Sequence, residues 1–273
     1  MPVLEVGGRQ VEYLLEGRGE PVILSSPTWW PLDAWKLNGL PELRDTFRVL
    51  AFNHRGIGHS SGTATAYNVH GLADDMVALS EALRLGPAHV VGFAIGGVVA
   101  LKAAIRRPEA VRSLVIGAAG AGAPAGRPSA VDRDREVIRK VGFREHIRHH
   151  ALNDDFAFSP ASYARHPERA EALADALWEH QGTEEEYLKH AEARSGHSTF
   201  DDLDKVAQPA LVLVGEEDNV QRGASTPVKV ATELAGALTA ELVVVPGVRH
   251  MVFWEDPEPA WAAVRRFLAV VSH

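Results

Sequence analysis

The 273-residue sequence predicts an α/β fold: a mostly parallel central sheet with helices on both faces and a helical lid inserted over one edge. Three observations carry that expectation. Short apolar runs alternate with longer stretches of helical periodicity. Several of the runs are unbroken Val, Ile and Leu, the composition of strands buried on both faces. One long stretch, residues 125–205, has helical patterns and no strand-like run.

The elements follow in order. Residues 3–6 and 10–15, joined at Gly7-Gly8, read as an antiparallel hairpin on the sheet edge. Strands are expected at 21–24 and 48–52, then a helix over 68–85 that stops at Gly86-Pro87. A strand at 89–92 leads into a helix over 95–107 that ends before Pro108. After a strand at 112–116, the small-residue linker 117–124 opens the helical stretch. Strands resume at 210–214 and 241–245. Thr226-Pro227 and Asp256-Pro257 each set a capping side chain before a proline at the first helical position, and the second pair opens a terminal helix to about Val270. The expected division is a core of residues 1–124 and 206–273 with a helical lid of 125–205, which would roof the carboxyl edge of the sheet where open α/β folds bind ligands.

Composition narrows the function classes. Hydrophobic residues make up 46% and charged residues 23%, enough for a substantial core, and the formal charge is -8. An acidic surface without Lys/Arg clusters argues against nucleic acid and anionic membranes as partners. The absence of cysteine excludes disulfides, thiolate catalysis and Cys-based metal centres. The N-terminal Met1-Pro2-Val3-Leu4-Glu5 has no signal-peptide pattern, and no stretch approaches the ~18 apolar residues of a membrane span, so a cytoplasmic location is expected.

Chemistry concentrates in three loops. Val90-Val91-Gly92-Phe93-Ala94-Ile95-Gly96-Gly97 joins a strand to a helix and has the outline of the G-x-S-x-G elbow, with Ala94 at the nucleophile position. A plain turn would more naturally carry glycine at that strained residue. Past the strand 210–214 come Gly215-Glu216-Glu217-Asp218, of which Asp218 has the spacing of an orienting carboxylate and the two glutamates read as surface acids. His250 follows the last strand in Val245-Pro246-Gly247-Val248-Arg249-His250. A lone loop histidine is usually just solvated, but the order elbow, acid, histidine gives it a role as general base oriented by Asp218. A developing oxyanion needs two backbone N–H donors. Ile95 offers one. The loop Ser25-Ser26-Pro27-Thr28-Trp29-Trp30 offers the other at Thr28, because Pro27 has no N–H.

With these residues in hand, the chain resembles the α/β-hydrolase superfamily over essentially its whole length. Leu24 to Thr28, on through Trp35, is similar to the Asn-Ser form of the oxyanion loop in 3-oxoadipate enol-lactonases. Asn53-His54-Arg55-Gly56-Ile57-Gly58-His59-Ser60 resembles their D-x-R-G-x-G-x-S loop, with Asn53 in place of Asp. Gln181-Gly182 is similar to aminoacrylate hydrolases, a group in which alanine at the elbow can occur. The resemblance implies hydrolysis of a small-molecule ester or lactone without a cofactor. Three accounts fit Ala94. The favoured one is a serine replaced by alanine, giving an inactive or strongly impaired enzyme. In another, Ala94 is native and His250 with Asp218 activates water to attack a C–N bond. In the third, the protein only binds a ligand, a role with no chemical need of Asp218 and His250. An aspartate-nucleophile enzyme is disfavoured because the elbow has no carboxylate.

Weaker features complete the expectations. Arg55-Gly56-Ile57-Gly58 lacks the rest of a dinucleotide fingerprint. His146, His149 and His150 lack a further ligand, so no metal is expected and they read as polar lid residues. Trp29, Trp178 and Met251 are the candidate substrate contacts; Trp30 is a further pocket candidate, though core packing fits any tryptophan as well. The expected partners are a small-molecule substrate and, as an assembly, a homodimer.

Overall fold

A computed structural model of the chain describes residues 1–64, 67–122, 131–152, 157–194, 198–220 and 225–272. Eight strands form: β1 (Val3–Val6), β2 (Arg9–Glu16), β3 (Pro21–Ser25), β4 (Arg48–Phe52), β5 (Ala88–Phe93), β6 (Val111–Gly117), β7 (Ala210–Gly215) and β8 (Glu241–Val245). They join in one sheet of order β1-β2-β4-β3-β5-β6-β7-β8. The β1–β2 and β2–β4 pairs are antiparallel, and β4 through β8 are parallel. The structure thus agrees with the sequence on all eight strands, extending several by a residue or two.

The sheet is buried on both faces because its central strands alternate apolar residues to either side. Val22, Leu24, Val91, Phe93, Leu211 and Leu213 enter one core; Ile23, Val90, Leu114, Ile116, Val212 and Val214 enter the other. The helices are α1 (Asp33–Lys36), α2 (Gly39–Leu43), α3 (Val69–Ala82), α4 (Ile95–Arg106), α5 (Val131–Val141), α6 (Phe143–Leu152), α7 (Pro160–Arg165), α8 (Pro167–Glu179), α9 (Glu184–Ala193), α10 (Pro227–Leu238) and α11 (Pro257–Val271). Residues of α3, α4 and α10 line the second core, and those of α1, α2 and α11 line the first.

Helix ends follow local chemistry. Asn68 caps α3 by accepting from Gly71 N, but α3 stops at Ala82, short of the expected Leu85, as Arg84 turns to φ 53. Helix α4 ends at Arg106 because Pro108 keeps Arg107 out of the helical region. Thr226 caps α10 as expected. Asp256 does not cap α11, and this corrects the sequence reading: its carboxylate makes no cap bond and lies 3.9 Å from the Arg169 guanidinium. Helices α1 and α2, directly after the Thr28 loop, were not expected.

The described part of the insertion between β6 and β7 holds helices α5 to α9 and a 3₁₀ turn at Phe200–Lys205, with an isolated bridge between Gly122 and Ser198. Its expected start at Ala125 lies outside the described residues. Ile138, Ile147, Ala151, Phe158, Leu173, Leu177 and Tyr187 pack into the first core, so the insertion shares its apolar base with the sheet. No helix among the described residues is long and apolar enough to cross a membrane.

Candidate active site

Position 94 sits where β5 turns into α4. Its backbone holds φ 49 and ψ -122, a conformation that L side chains rarely adopt. Both of its peptide groups are tied, Ala94 N to Gly117 O at 2.8 Å and Ala94 O to Gly97 N at 3.0 Å. The flanking glycines are required by contact. A Cβ on Gly92 would meet Gly96 O at 2.5 Å, and one on Gly96 would meet Ser25 O at 2.2 Å. The elbow is therefore locked between its own helix and the loop after β3.

Parallel pairing brings the ends of β3, β5, β7 and β8 to one edge, and with them the Thr28, Ala94, Asp218 and His250 loops. His250 Nδ1 lies 3.0 Å from Asp218 Oδ2, both side chains being buried, while Asp218 Oδ1 accepts from Val220 N at 3.0 Å. With Nδ1–H donated to the carboxylate, the neutral imidazole keeps its lone pair on Nε2. Phe93, next to Ala94 in the chain, packs on the His250 ring at 5.2 Å between centroids. The acid and histidine loops are themselves joined: Glu217 N donates to Val248 O, and a Cβ on Gly215 would meet Arg249 O at 2.1 Å.

Ile95 is the first residue of α4, so its N–H has no partner within the helix. Thr28 is fully buried, and among the described residues no acceptor faces its N–H. The loop carrying it is held from several sides. Trp30 N donates to Pro27 O at 2.9 Å, Trp35 Nε1 donates to Ser26 Oγ at 2.8 Å, and the His54 ring meets Ser26 O at 3.3 Å. Burial drives the His54 imidazole down to about 4, so it is neutral and donates there from Nε2.

The neighbouring loop explains Asn53. Its Oδ1 accepts from Leu32 N at 2.7 Å, and its Nδ2 donates to Glu12 Oε2 at 2.8 Å. Glu12 is fully buried on β2. Burial raises its carboxyl, but donors from His59 and Asn53 outweigh that and hold it below the ordinary value. An aspartate at 53 would set a second carboxylate against the first, so the amide is the compatible choice. The same loop anchors the insertion. Gly58 N donates to His180 O at 2.9 Å, and His190 Nε2 bonds Arg55 O at 2.8 Å. Gln181 and Gly182 close the end of α8, with Gly182 pressed so tightly on Gly56 that a Cβ would sit 2.0 Å from Gly56 O.

The remaining site candidates are mostly buried. Trp29 and Met251 are only 4% and 1% exposed. Trp29 packs on Trp30, His150 and Tyr187, and Met251 follows His250 directly in the chain. Trp30, 3% exposed, is likewise core, between Phe93 and Trp254. Trp178 is half-buried on α8, edge-on to Phe143 and under the Arg144 guanidinium. His146 and His150 both meet the Tyr187 hydroxyl, at 2.8 and 3.2 Å, and that hydroxyl donates to Asp134 Oδ2, which also receives Arg194. Burial lowers both imidazoles. His149 stays exposed. Among the described residues, Asp33, Glu179 and His180 could bring three ligand atoms together, and the Asp33 carboxylate already meets His180 Nδ1 through Oδ2 at 2.9 Å and the Lys36 ammonium through Oδ1 at 2.5 Å.

Comparison with known proteins supplies a family and several likenesses. The family model described as alpha/beta hydrolase fold matches residues 14–257. A protein of Agrobacterium fabrum that carries the name carbamate hydrolase RutD is 28% identical over 200 residues, covering 72% of this chain and 75% of its own. The 3-oxoadipate enol-lactonase 2 of Acinetobacter baylyi is 26% identical over 199 residues, covering 73% and 72%. The crystal structure of the enol-lactonase from Burkholderia xenovorans LB400 superposes with a TM-score of 0.84 at 23% identity, over 98% of this chain and 100% of that one. At that identity the likeness concerns the fold.

Proposed function

Since the chain belongs to the α/β-hydrolase fold family, we propose that its site is built to hydrolyse a small-molecule ester or lactone, with Ala94 standing in for the serine nucleophile. The observation that carries this reading is the His250–Asp218 pair, kept beside an elbow whose strained backbone is retained at Ala94. A protein that only binds a ligand has no chemical need of the pair, and the strained backbone costs stability.

In the serine form, His250 Nε2 takes the hydroxyl proton as oxygen attacks the carbonyl, and returns it to the leaving alkoxide. Asp218 holds the tautomer and offsets the imidazolium charge. The N–H groups of Ile95 and Thr28 receive the oxyanion. Helices α5 to α9 act as a lid that excludes water and selects substrate. In the Ala94 form no acyl-enzyme can form, and substrate should bind without appreciable turnover. The test is Ala94→Ser assayed on short p-nitrophenyl esters and lactones.

A second reading is favoured by the relatives named carbamate hydrolase RutD. Here Ala94 is native, and His250 Nε2 deprotonates a water that attacks a carbamate-like or enamine-derived carbon, expelling nitrogen. Hydrolysis by the Ala94 protein itself, lost on His250→Ala, would select this reading.

A further inference from the structure

Glu255 is fully buried yet belongs to neither the elbow nor the pair. Its two carboxylate oxygens are spent on two backbone donors from different parts of the fold. Oε2 accepts from Arg249 N at 2.7 Å, the residue immediately before His250. Oε1 accepts from Ser159 N at 2.7 Å, the cap of α7 in the insertion. The backbone of Glu255 is held by the same insertion, its carbonyl accepting from Arg169 Nη1 at 2.7 Å and Ser162 Oγ at 3.4 Å. One residue beyond His250, Met251 N donates to Ala157 O at 3.2 Å. The base is thus bracketed: the residue on each side of His250 is fastened to the insertion through its backbone N–H, on one side by way of this single carboxylate.

Burial raises the Glu255 carboxyl above its ordinary value, a cost that a surface loop would not carry. We infer that Glu255 is a positioning residue that couples the seating of the insertion to the placement of the His250 imidazole against Asp218. When residues 157–162 are seated, the carboxylate fixes Arg249 N and aims the His250 ring. When they lift, the carboxylate loses one donor, and the loop that orients the base loosens with it. The inference deepens the proposed hydrolytic role of His250 and rests on that reading for its kinetic arm only.

The experiment uses the full chain. The Nδ1 proton of the His250–Asp218 bond is followed by ¹H NMR, assigned by its loss in Asp218→Asn, and its exchange with solvent is measured. Glu255→Gln removes one acceptor and turns an amide N–H toward a backbone donor. Exchange should quicken about tenfold, the scale of one lost bond to a buried N–H. Arg169→Ala loosens the same segment from the Glu255 backbone without touching the carboxylate, and it should quicken the exchange less than Glu255→Gln does. Ser159→Pro gives a second route, since Ser159 has φ -67 and proline deletes the N–H that Oε1 accepts; exchange should quicken again. Unaltered exchange in either Glu255→Gln or Ser159→Pro, or equal change in Arg169→Ala, overturns the inference. In the Ala94→Ser background, Glu255→Gln should lower kcat about tenfold with KM held, the pattern of a misaimed base; a rise in KM alone counts against it. An inactive Ala94→Ser protein would contradict the proposed function, while the exchange measurement still decides the role of Glu255.

Discussion

Ala94→Gly should stabilise the protein, because the residue pays for a backbone conformation that only glycine adopts freely. At φ 49 and ψ -122, with the peptide tied to Gly117 on one side and Gly97 on the other, Ala94 cannot relax. Such strain amounts to roughly 1–3 kcal/mol. Glycine removes it, but gives the unfolded chain more freedom, which offsets about 0.4–1 kcal/mol. The lost methyl is half-buried and changes little. The net gain is about 1 kcal/mol, which for a chain of this size raises Tm by about 2–4 °C. Scanning calorimetry of the two proteins at pH 7 measures it. An unchanged or lowered Tm would mean that the elbow is not strained, and would remove one of the two observations behind the hydrolase reading.

Three further outcomes follow from the geometry. Gly96→Ala drives a Cβ onto Ser25 O and Ser26 O, at 2.2 and 2.5 Å, and should destabilise by about 1–3 kcal/mol; chemical denaturation with an undisturbed midpoint would refute the close packing. His54 is held at about 4 in the folded state against an ordinary 6.5, so the unfolded chain binds a proton that the folded chain refuses as pH falls. Its contribution is complete above pH 6.5 and declines toward pH 4 by about 3 kcal/mol; urea titrations should be flatter with pH in His54→Gln, and parallel curves would contradict the assignment. Trp178→Ala, made on Ala94→Ser, should raise KM or alter substrate preference more than it lowers kcat, and a pure kcat loss would count against a selective lid.

The fold was legible because its central strands are buried on both faces and therefore spelled as unbroken apolar runs, as at 210–214. The elbow was legible because close packing demands glycine at 92 and 96, which leaves a local signature. What escaped the sequence depends on partners far away in the chain. Asn53 read as a departure from a loop pattern until Glu12, 41 residues earlier, appeared as its partner. Glu255 gave no signal because its partners, Ser159 and Arg249, meet only in three dimensions. Trp29 and Met251 are buried, and an aromatic or methionine beside a site has no sequence mark that separates contact surface from the wall behind it. Asp256 stood at a cap position, yet its carboxylate lies toward Arg169 and makes no cap bond, a contact with the insertion that no local rule anticipates.

The central claim is that His250 and Asp218 serve a nucleophile at position 94, and intact-protein mass spectrometry tests it most directly. The Ala94 protein and Ala94→Ser are each incubated with an activated ester and with a lactone. Ala94→Ser should gain the mass of one acyl group and turn over at least 10⁴-fold faster than the Ala94 protein, the scale of loss when a triad nucleophile is removed. Ala94 protein should bind the same substrate and leave it intact for hours. Multiple turnovers by the Ala94 protein, abolished by His250→Ala and not accelerated by Ala94→Ser, would contradict the account and make direct attack by water the chemistry of this site.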